Sequence, residues 1–398
     1  MQSNPKIDKI QVAVYTFPTE TPESDGTFQW EKTSLVLVRV IAGDVEGLGY
    51  SYADLATAQL IKDTLAPKLI DHDALAVGGA WRKMVEQIRN LGRPGIASMA
   101  IAAVDNALWD LKARLLNLSV AALLGLVRTR IMAYGSGGFT SYSDWQLTEQ
   151  LGGWAESGFL AVKMKIGRDA VADLDRVRMA RKAIGPDVKL FIDANGAYTR
   201  KQALYQAYRF KEDDDVAWFE EPVSSDDLEG LRLIRDQGPP GMDIAAGEYG
   251  YDSWYFRRML AAEAVDVLQA DATRCAGITG FLSADALCES HSIPLSAHTA
   301  PSIHAHACCG AQCALNVEYF YDHGRIEKLA FDGAIQAKDG FLTPDLSAPG
   351  FGLVLKEADI RQNLTYEAES SGQSFPWNRR CAVGSGQPRL NPREFSGE

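Results

Sequence analysis

Beyond Arg128 the chain repeats one pattern, in which a short apolar run is followed by a segment with the apolar spacing of a helix. Eight such runs occur, at intervals of roughly 20–30 residues. Strands and helices that alternate at this period predict parallel βα units, and eight units predict a closed barrel. The predicted strands cover residues 131–135, 161–166, 188–192, 216–219, 242–246, 265–269, 293–297 and 315–317.

The first 128 residues follow a different pattern. Val-rich alternating runs at 8–18 and 33–41 predict strands, and the region from 56 to 124 has helical periodicity, so this part is predicted to be an α+β domain. A polar loop, 19–32, connects the two strands and contains Phe28 and Trp30. This loop is either a lid or an ordinary hairpin connection.

Four segments follow from these patterns. We expect the α+β domain at 1–128, the barrel at 129–320, a return to the α+β domain at 321–365 and an extended tail at 366–398. The tail is rich in Gly, Ser, Pro and charged residues and lacks periodicity. We expect it to contribute to subunit contacts in a homo-oligomer.

The second predicted barrel strand carries two lysines on one face. Its apolar residues alternate with Lys163 and Lys165, so the apolar side should pack against helices while both lysines point into an enclosed space. Repulsion and desolvation of two ammonium groups would lower the pKa of one lysine until it can act as a base. The alternative is a solvated edge strand with two surface lysines.

Composition limits the class of protein. The chain has 398 residues, 46% of them hydrophobic, a formal net charge of −12 and a pI of about 5.1. The negative charge argues against nucleic-acid binding, and no apolar stretch suits a signal peptide or a membrane span. Six cysteines, two of them adjacent, do not form a disulfide framework, so we expect reduced thiols in a cytoplasmic protein.

From the third predicted strand onward, each strand ends in an ionisable residue. The carboxyl ends of barrel strands meet at one mouth, so these side chains should converge there. In chain order the residues are Asp193, Glu220, Glu248, Asp271, His298 and Glu318.

The first three of these acids form a candidate metal site. Three clustered carboxylates need a counter-charge, and oxygen ligands without His or Cys favour Mg²⁺ over Zn²⁺. Each acid alone could equally cap a helix or form a salt bridge at the rim. Their position at three successive strand ends, between the lysine strand and the Asp and His that follow, favours the metal site.

These motifs together resemble the enolase superfamily, and within it the mandelate racemase subgroup. The resemblance extends to about residue 360 and implies a modified (β/α)7β TIM-like barrel with an N-terminal α+β capping domain. It also implies that Mg²⁺ is held by the three acids, with Glu221 facing away by strand alternation. The motifs are Lys163-Met164-Lys165, Asp193-Ala194-Asn195, Glu220-Glu221-Pro222, Gly247-Glu248, Asp271, His298 and Glu318.

The resemblance implies a reaction that removes the α-proton of a carboxylate substrate and passes through an ene-diolate. Lys165 and His298 would be the acid/base groups on opposite faces of the substrate. Lys163 would lower the pKa of Lys165, and Asp271 would orient His298.

Two further residues complete the predicted site. Glu318, expected to be protonated, would donate a hydrogen bond to the substrate carboxylate. Asn195 is a candidate for substrate contact.

The absence of lysine from Glu212 to Glu327 separates this chain from sister subgroups. Muconate-cycloisomerase-like enzymes and dipeptide epimerases place a catalytic lysine on the sixth strand. Here that strand is followed by Arg274, which stays protonated and makes a poor base.

We therefore expect a small-molecule carboxylate substrate, most simply an aldonate or aldarate dehydrated to a 2-keto-3-deoxy product, since family members with both acid/base motifs are mostly acid-sugar dehydratases. One alternative is a racemase or epimerase of a 2-hydroxy acid such as mandelate, which would use the same two bases. The other is a non-catalytic barrel that binds a carboxylate. Loss of a ligand or a base would favour it, and none is lost.

Overall fold

A four-stranded antiparallel sheet forms the core of the capping domain. The computed structural model describes residues 4–372. The sheet has the order β15-β1-β2-β3, and its strands are β1 (Lys9–Ser24), β2 (Gln29–Ala42), β3 (Val45–Tyr52) and β15 (Leu364–Ser371). Helices on one face are α1 (Leu55–Leu60), α2 (Val77–Gln87) and α3 (Ile96–Leu115), and α4 (Val120–Leu123) follows α3. Gly49 lets α3 approach β3 closely, since a Cβ there would lie 2.2 Å from the Ala107 nitrogen.

The polar segment predicted as a loop at 19–32 is mostly strand. β1 and β2 continue past Pro18 as a two-stranded ribbon that pairs Glu23 with Trp30 and turns at 25–28. Asp25 closes the turn by accepting hydrogen bonds from the Thr27 and Phe28 amides. The segment has no apolar alternation because it extends beyond the capping core, so its pattern did not indicate a strand. β3 was likewise not predicted.

Eight parallel strands form a closed barrel, as the repeat of apolar runs predicted. The last strand pairs with the first, with Val317 opposite Ala133. The barrel strands are β4 (Ile131–Gly137), β5 (Ala161–Lys165), β6 (Lys189–Asp193), β7 (Val216–Glu220), β8 (Asp243–Ala246), β9 (Val267–Ala270), β10 (Leu295–Ala297) and β11 (Ala314–Phe320).

Helices surround this barrel and cover the outer, apolar side of each strand. Val162 and Met164 belong to that layer and are fully buried, which confirms the predicted orientation of the lysine strand. The helices are α5 (Asp144–Glu156), α6 (Ala172–Ile184), α7 (Arg200–Asp214), α8 (Leu228–Gln237), α9 (Ser253–Ala261), α10 (Gly277–His291), α11 (Pro301–Gly310) and α12 (Tyr321–Ala330).

The chain after the barrel returns to the capping domain. It contains β12 (Phe331–Asp332), β13 (Phe341–Leu342), β14 (Val354–Leu355), α13 (Glu357–Ile360) and finally β15. β13 pairs with the first barrel strand, and β15 pairs with β1.

The first residues of the predicted tail form part of a strand. Tyr366 and Ala368 alternate with exposed residues and pack against the capping core, so 366–371 is an edge strand. The remainder of the predicted tail, 373–398, lies outside the described residues. Between residues 4 and 372, no helix has the length and apolarity needed to cross a membrane.

Candidate metal centre and acid/base site

The register of the parallel strands places the predicted acids side by side. Lys165 lies opposite Asp193, and Asp193 lies opposite Glu220 on the next strand. Glu248 follows the end of β8. Ligand oxygens of the three acids all lie within 4.8 Å of one another, and the three side chains are buried. A cluster of carboxylate oxygens without soft ligands fits a hard divalent cation such as Mg²⁺.

Both lysines of the Lys-x-Lys strand are buried and bound to carboxylates. Lys163 Nζ lies 2.7 Å from both oxygens of Glu220 and 2.8 Å from Glu318 Oε1. Lys165 Nζ lies 2.5 Å from Asp193 Oδ2. The alternative of two surface lysines is therefore wrong.

The pKa of each lysine is shifted upward, which corrects the prediction of a lowered value. Burial lowers the pKa of Lys165, and the charge of Lys163 lowers it further. The negative charges of Asp193, Glu248 and Glu318 outweigh both effects. Lys163 does depress the pKa of its neighbour, as expected, but the charge of the acids is larger.

His298 lies between two acids at the end of β10. Its Nδ1 is 2.8 Å from Asp271 Oδ2, and its Nε2 is 2.9 Å from Glu248 Oε2. Burial lowers the pKa of His298, but the charges of Glu248 and Glu318 and the hydrogen bond to Asp271 raise it to about 9. The predicted His–Asp contact is thus present, and it favours the imidazolium.

Asp271 is itself held in place by its own loop. Its Oδ1 accepts hydrogen bonds from the amide and the hydroxyl of Thr273. Burial raises the pKa of Asp271, but the hydrogen bond and the charge of His298 bring it below its ordinary value. His304 supports the same loop by accepting a hydrogen bond from the Ala272 amide at 2.8 Å.

The pKa of Glu318 is shifted downward, whereas the resemblance implied a protonated carboxyl group. Burial raises its pKa, but the charges of Lys163 and His298 lower it to about 2. Its Oε1 accepts a hydrogen bond from Ser136 Oγ at 2.5 Å in addition to the contact with Lys163. These two donors favour the ionised form of Glu318.

Asn195 stands at the edge of the metal centre. Its backbone has a φ of +46°, and its amide donates to Asp193 Oδ1 at 2.8 Å. Its side-chain oxygen is buried and has no hydrogen-bond partner among the described residues. Its substrate contact stays a prediction.

A cavity of about 450 Å³ opens above the acids, between the barrel and the capping domain. The β1–β2 ribbon forms part of its wall. The tip of the ribbon lies on the barrel mouth, since a Cβ at Gly26 would lie 2.5 Å from the Ala194 carbonyl oxygen. The residues lining the cavity include Asp25, Phe28, Trp30, Lys32, Thr33, Ser34, Tyr52, Asp54, Lys165, Asn195, Glu248, Tyr249, Arg274, His298, Phe320 and His323.

Several side chains at the site were not predicted to have a role there. Arg274, noted in the sequence only as a poor base, donates from Nη1 to the Glu248 carbonyl at 3.2 Å. Glu221 was predicted to face away, but its φ of +39° interrupts the strand alternation. Its side chain is buried, and burial together with the charge of Glu248 raises its pKa. The Glu-Glu-Pro motif marks this position without revealing the direction of the second side chain.

Family models match both parts of the chain. Residues 9–125 match the mandelate racemase / muconate lactonizing enzyme N-terminal domain, and residues 146–359 match the enolase C-terminal domain-like family.

Curated relatives and solved structures agree with these matches. The L-talarate/galactarate dehydratase of Salmonella typhimurium is 29% identical over 352 residues, covering 85% of this chain and 86% of that protein. The arabinonate dehydratase of Saccharolobus solfataricus is 31% identical over 323 residues, covering 78% of this chain and 84% of that protein.

Among solved structures, a mandelate racemase/muconate lactonizing enzyme-like protein from Rubrobacter xylanophilus has a TM-score of 0.89 and 50% identity. That match covers 91% of this chain and all of the other. The Salmonella enzyme, crystallised with Mg and L-lyxarohydroxamate, has a TM-score of 0.84 and 26% identity. That match covers 93% of this chain and 95% of the other.

Proposed function

Since the chain belongs to the enolase superfamily, in its mandelate racemase subgroup, we propose that it dehydrates an acid sugar to a 2-keto-3-deoxy acid. The protein is an enzyme of that subgroup and uses Mg²⁺. Asp193, Glu220 and Glu248 are the residues that would hold the ion. When bound, Mg²⁺ supplies positive charge for a substrate carboxylate whose negative charge grows as the α-proton leaves.

The observation that carries this proposal is the placement of Lys165 and His298 around the triad. Lys165 contacts Asp193, whereas His298 contacts Glu248, so the two groups meet the triad at different carboxylates. Lys165 lies at the end of β5, and His298 follows the end of β10. This placement supports two acid/base groups that reach a substrate from different sides.

The contacts of each group suggest its part in dehydration. His298, with a pKa raised to about 9, carries the proton that the leaving β-hydroxyl needs. The charges of Asp193, Glu248 and Glu318 hold the proton on Lys165. A cation bound by the acids would offset that charge, and burial and the charge of Lys163 would then favour the neutral amine that takes the α-proton. Lys163, buried beside Lys165, would add positive charge that helps to neutralise the substrate carboxylate.

The cavity wall supports an acid sugar as the substrate. Lys32, Thr33, Ser34 and Asp54 present charged and hydroxyl groups from the capping domain. A chain of hydroxylated carbons finds hydrogen-bond partners there, and the curated relatives described above are named as acid-sugar dehydratases.

A racemase of a 2-hydroxy acid is the second candidate. It would use the same two groups, and the aromatic side chains of Phe28, Trp30 and Phe320 in the cavity wall favour an aryl substituent. The non-catalytic alternative has no support, because every predicted ligand and acid/base group is present at the site.

A screen of aldonates and aldarates tests the proposal. The purified protein with Mg²⁺ should convert at least one of them to a 2-keto acid, detected as its semicarbazone, and EDTA should stop the reaction. Lys165→Ala should be inactive in the same screen. Failure with every acid sugar, together with interconversion of mandelate or lactate enantiomers, would overturn dehydration in favour of the racemase.

A further inference from the structure

His323 is a cavity residue that the proposed reaction does not use. It lies in the first turn of α12, five residues after Glu318, and its side chain lines the cavity. The residue is 8% exposed. Its Nδ1 is buried and has no hydrogen-bond partner among residues 4–372. Buried polar groups in proteins nearly always have a partner. Since the ring of His323 lines the cavity, a ligand bound there can supply one.

The ring of His323 is held in one orientation by aromatic contacts. It stacks on the capping-domain residue Tyr52, with the ring centroids 3.4 Å apart and the planes 9° from parallel. Phe320 packs against it edge to face at 5.0 Å. A ring fixed between two others presents its nitrogens in defined directions, which is the requirement for a specific hydrogen bond.

Neighbouring hydroxyl groups in the same wall already have partners. Thr33 Oγ1 donates to Asp322 Oδ2 at 2.5 Å, and Ser34 Oγ shares a hydrogen bond of 2.9 Å with Thr16. The Tyr52 hydroxyl donates weakly, at 3.4 Å, to the His323 carbonyl oxygen. His323 differs from these hydroxyl groups, because its Nδ1 has no partner among residues 4–372.

The environment of His323 keeps its ring neutral. Burial, followed by the positive charge of His298, lowers its pKa to about 3. A neutral imidazole has one donor nitrogen and one acceptor nitrogen, whereas an imidazolium would attract an anion. The matching chemical group on a ligand is a hydroxyl, which both donates and accepts.

We propose that His323 hydrogen-bonds a hydroxyl group of the substrate beyond its reacting α- and β-carbons, and so selects polyhydroxylated chains. The proposal rests on the proposed function, since it takes the cavity to be the substrate site. A site built to hydrogen-bond a hydroxyl discriminates against analogues that lack it, because its own polar atom is then left unpaired.

The first test compares substrates that differ by one hydroxyl. His323→Phe keeps an aromatic ring against Tyr52 but removes the hydrogen bond. We expect kcat/KM to fall about 10- to 100-fold for an acid sugar that is turned over, with little change for its deoxy analogues lacking the recognised hydroxyl. Tyr52→Phe is the matched control, because it keeps the stacking and should leave the ratio between the two substrates unchanged. An equal loss on all substrates, or no loss at all, would overturn the proposal.

The second test does not depend on turnover. The Lys165→Ala variant, labelled with ¹⁵N-histidine and saturated with Mg²⁺, is titrated with galactarate and gluconate and then with glycolate. The His323 resonances are assigned by their absence in the additional variant His323→Phe. We expect them to shift with at least one acid sugar and to stay unchanged with glycolate, which has no hydroxylated chain. If acid sugars bind and these resonances do not move, the assignment to His323 is wrong even if dehydration is correct. If no acid sugar binds or reacts, the proposed function fails, and this assignment fails with it.

Discussion

The two ends of the cavity are built on different principles. At the metal end, Asp193, Glu220 and Lys163 are fully buried, and Lys163 Nζ lies 3.6 Å from Asp193 and 2.7 Å from Glu220. At the capping end, Phe28 is 64% exposed and Lys32 is also exposed.

This difference suggests that the two ends of the cavity have different roles in the reaction. Acids and lysines at the metal end are placed by the hydrogen-bond register of the barrel, so a shift of one strand would disorganise all of them. Side chains at the capping end come from a ribbon and a helix start, where a substitution changes one contact at a time. Reaction type should therefore depend on the barrel, and substrate preference on the capping wall.

Removal of a metal ligand is expected to have the largest effect. Asp193→Asn, Glu220→Gln and Glu248→Gln should each lower turnover by more than about 10³-fold, because each removes charge that the cation needs. Calorimetry should show weakened Mg²⁺ binding, with an unchanged circular dichroism spectrum. Asp54→Asn in the capping wall is the control and should keep the affinity for Mg²⁺. Unchanged affinity in all three ligand variants would rule out this metal centre.

The two acid/base groups should be separable from each other. Lys165→Ala and His298→Asn should each reduce turnover by about 10²–10⁴-fold. In D₂O, His298→Asn should still exchange the α-proton of one substrate configuration. Lys165→Ala should lose that exchange and spare the opposite configuration, if a substrate of that configuration binds. Proton NMR of the α-position measures the exchange of each configuration. If the two variants lost exchange of the two configurations equally, Lys165 and His298 would not act from different sides of the substrate.

A buried acid at the base of the capping wall should make stability depend on pH. Glu23 accepts a hydrogen bond from the Trp30 indole at 2.9 Å, and burial followed by the charge of Asp322 raises its pKa to about 8. Between its ordinary value of 4.5 and 8, the folded protein keeps a proton that the unfolded chain has released, so stability falls as pH rises through this window.

Glu23→Gln removes this dependence and tests the assignment. It should be more stable than the parent above pH 8 by on the order of 2 kcal/mol, and nearly equal to it below pH 4.5. Denaturant titrations at several pH values measure the difference. Turnover of the preferred substrate at neutral pH should change little. If the free energy of unfolding varied with pH in the same way in the two proteins, Glu23 would not be the group responsible.

The smallest effect is expected at the tip of the ribbon. Phe28 stacks loosely on Trp30, with the ring centroids 6.2 Å apart. Phe28→Ala should change stability by less than about 0.5 kcal/mol and shift the ratio of kcat/KM between two acid sugars a few-fold. Trp30→Ala is the matched comparison and should also cost stability, because Trp30 bonds Glu23 and packs against Phe139. Identical substrate ratios in parent and Phe28→Ala would remove this residue from substrate selection.

The amino-acid sequence by itself determined the barrel and the contents of the metal end. Period-two alternation is a local property that put Lys163 and Lys165 on one face of their strand. The acids at the later strand ends then favoured the interior of the barrel for that face, as the structure shows. Acids at successive strand ends must converge once the strands close into a barrel, so Asp193, Glu220 and Glu248 could be grouped before their distances were known. Both inferences need only the pattern of the chain and the topology that it implies.

Tertiary structure decided what depends on neighbours from distant parts of the chain. The pKa shifts of Lys165 and Glu318 follow from the balance of several buried charges. The lysine pair considered by itself and the family resemblance each suggested the opposite direction. The polar ribbon at 19–32 and the strand at 364–371 are stabilised by pairing partners that no local pattern reveals. His323 became a candidate for the same reason, since an unpaired nitrogen can be recognised only when everything around it is in place.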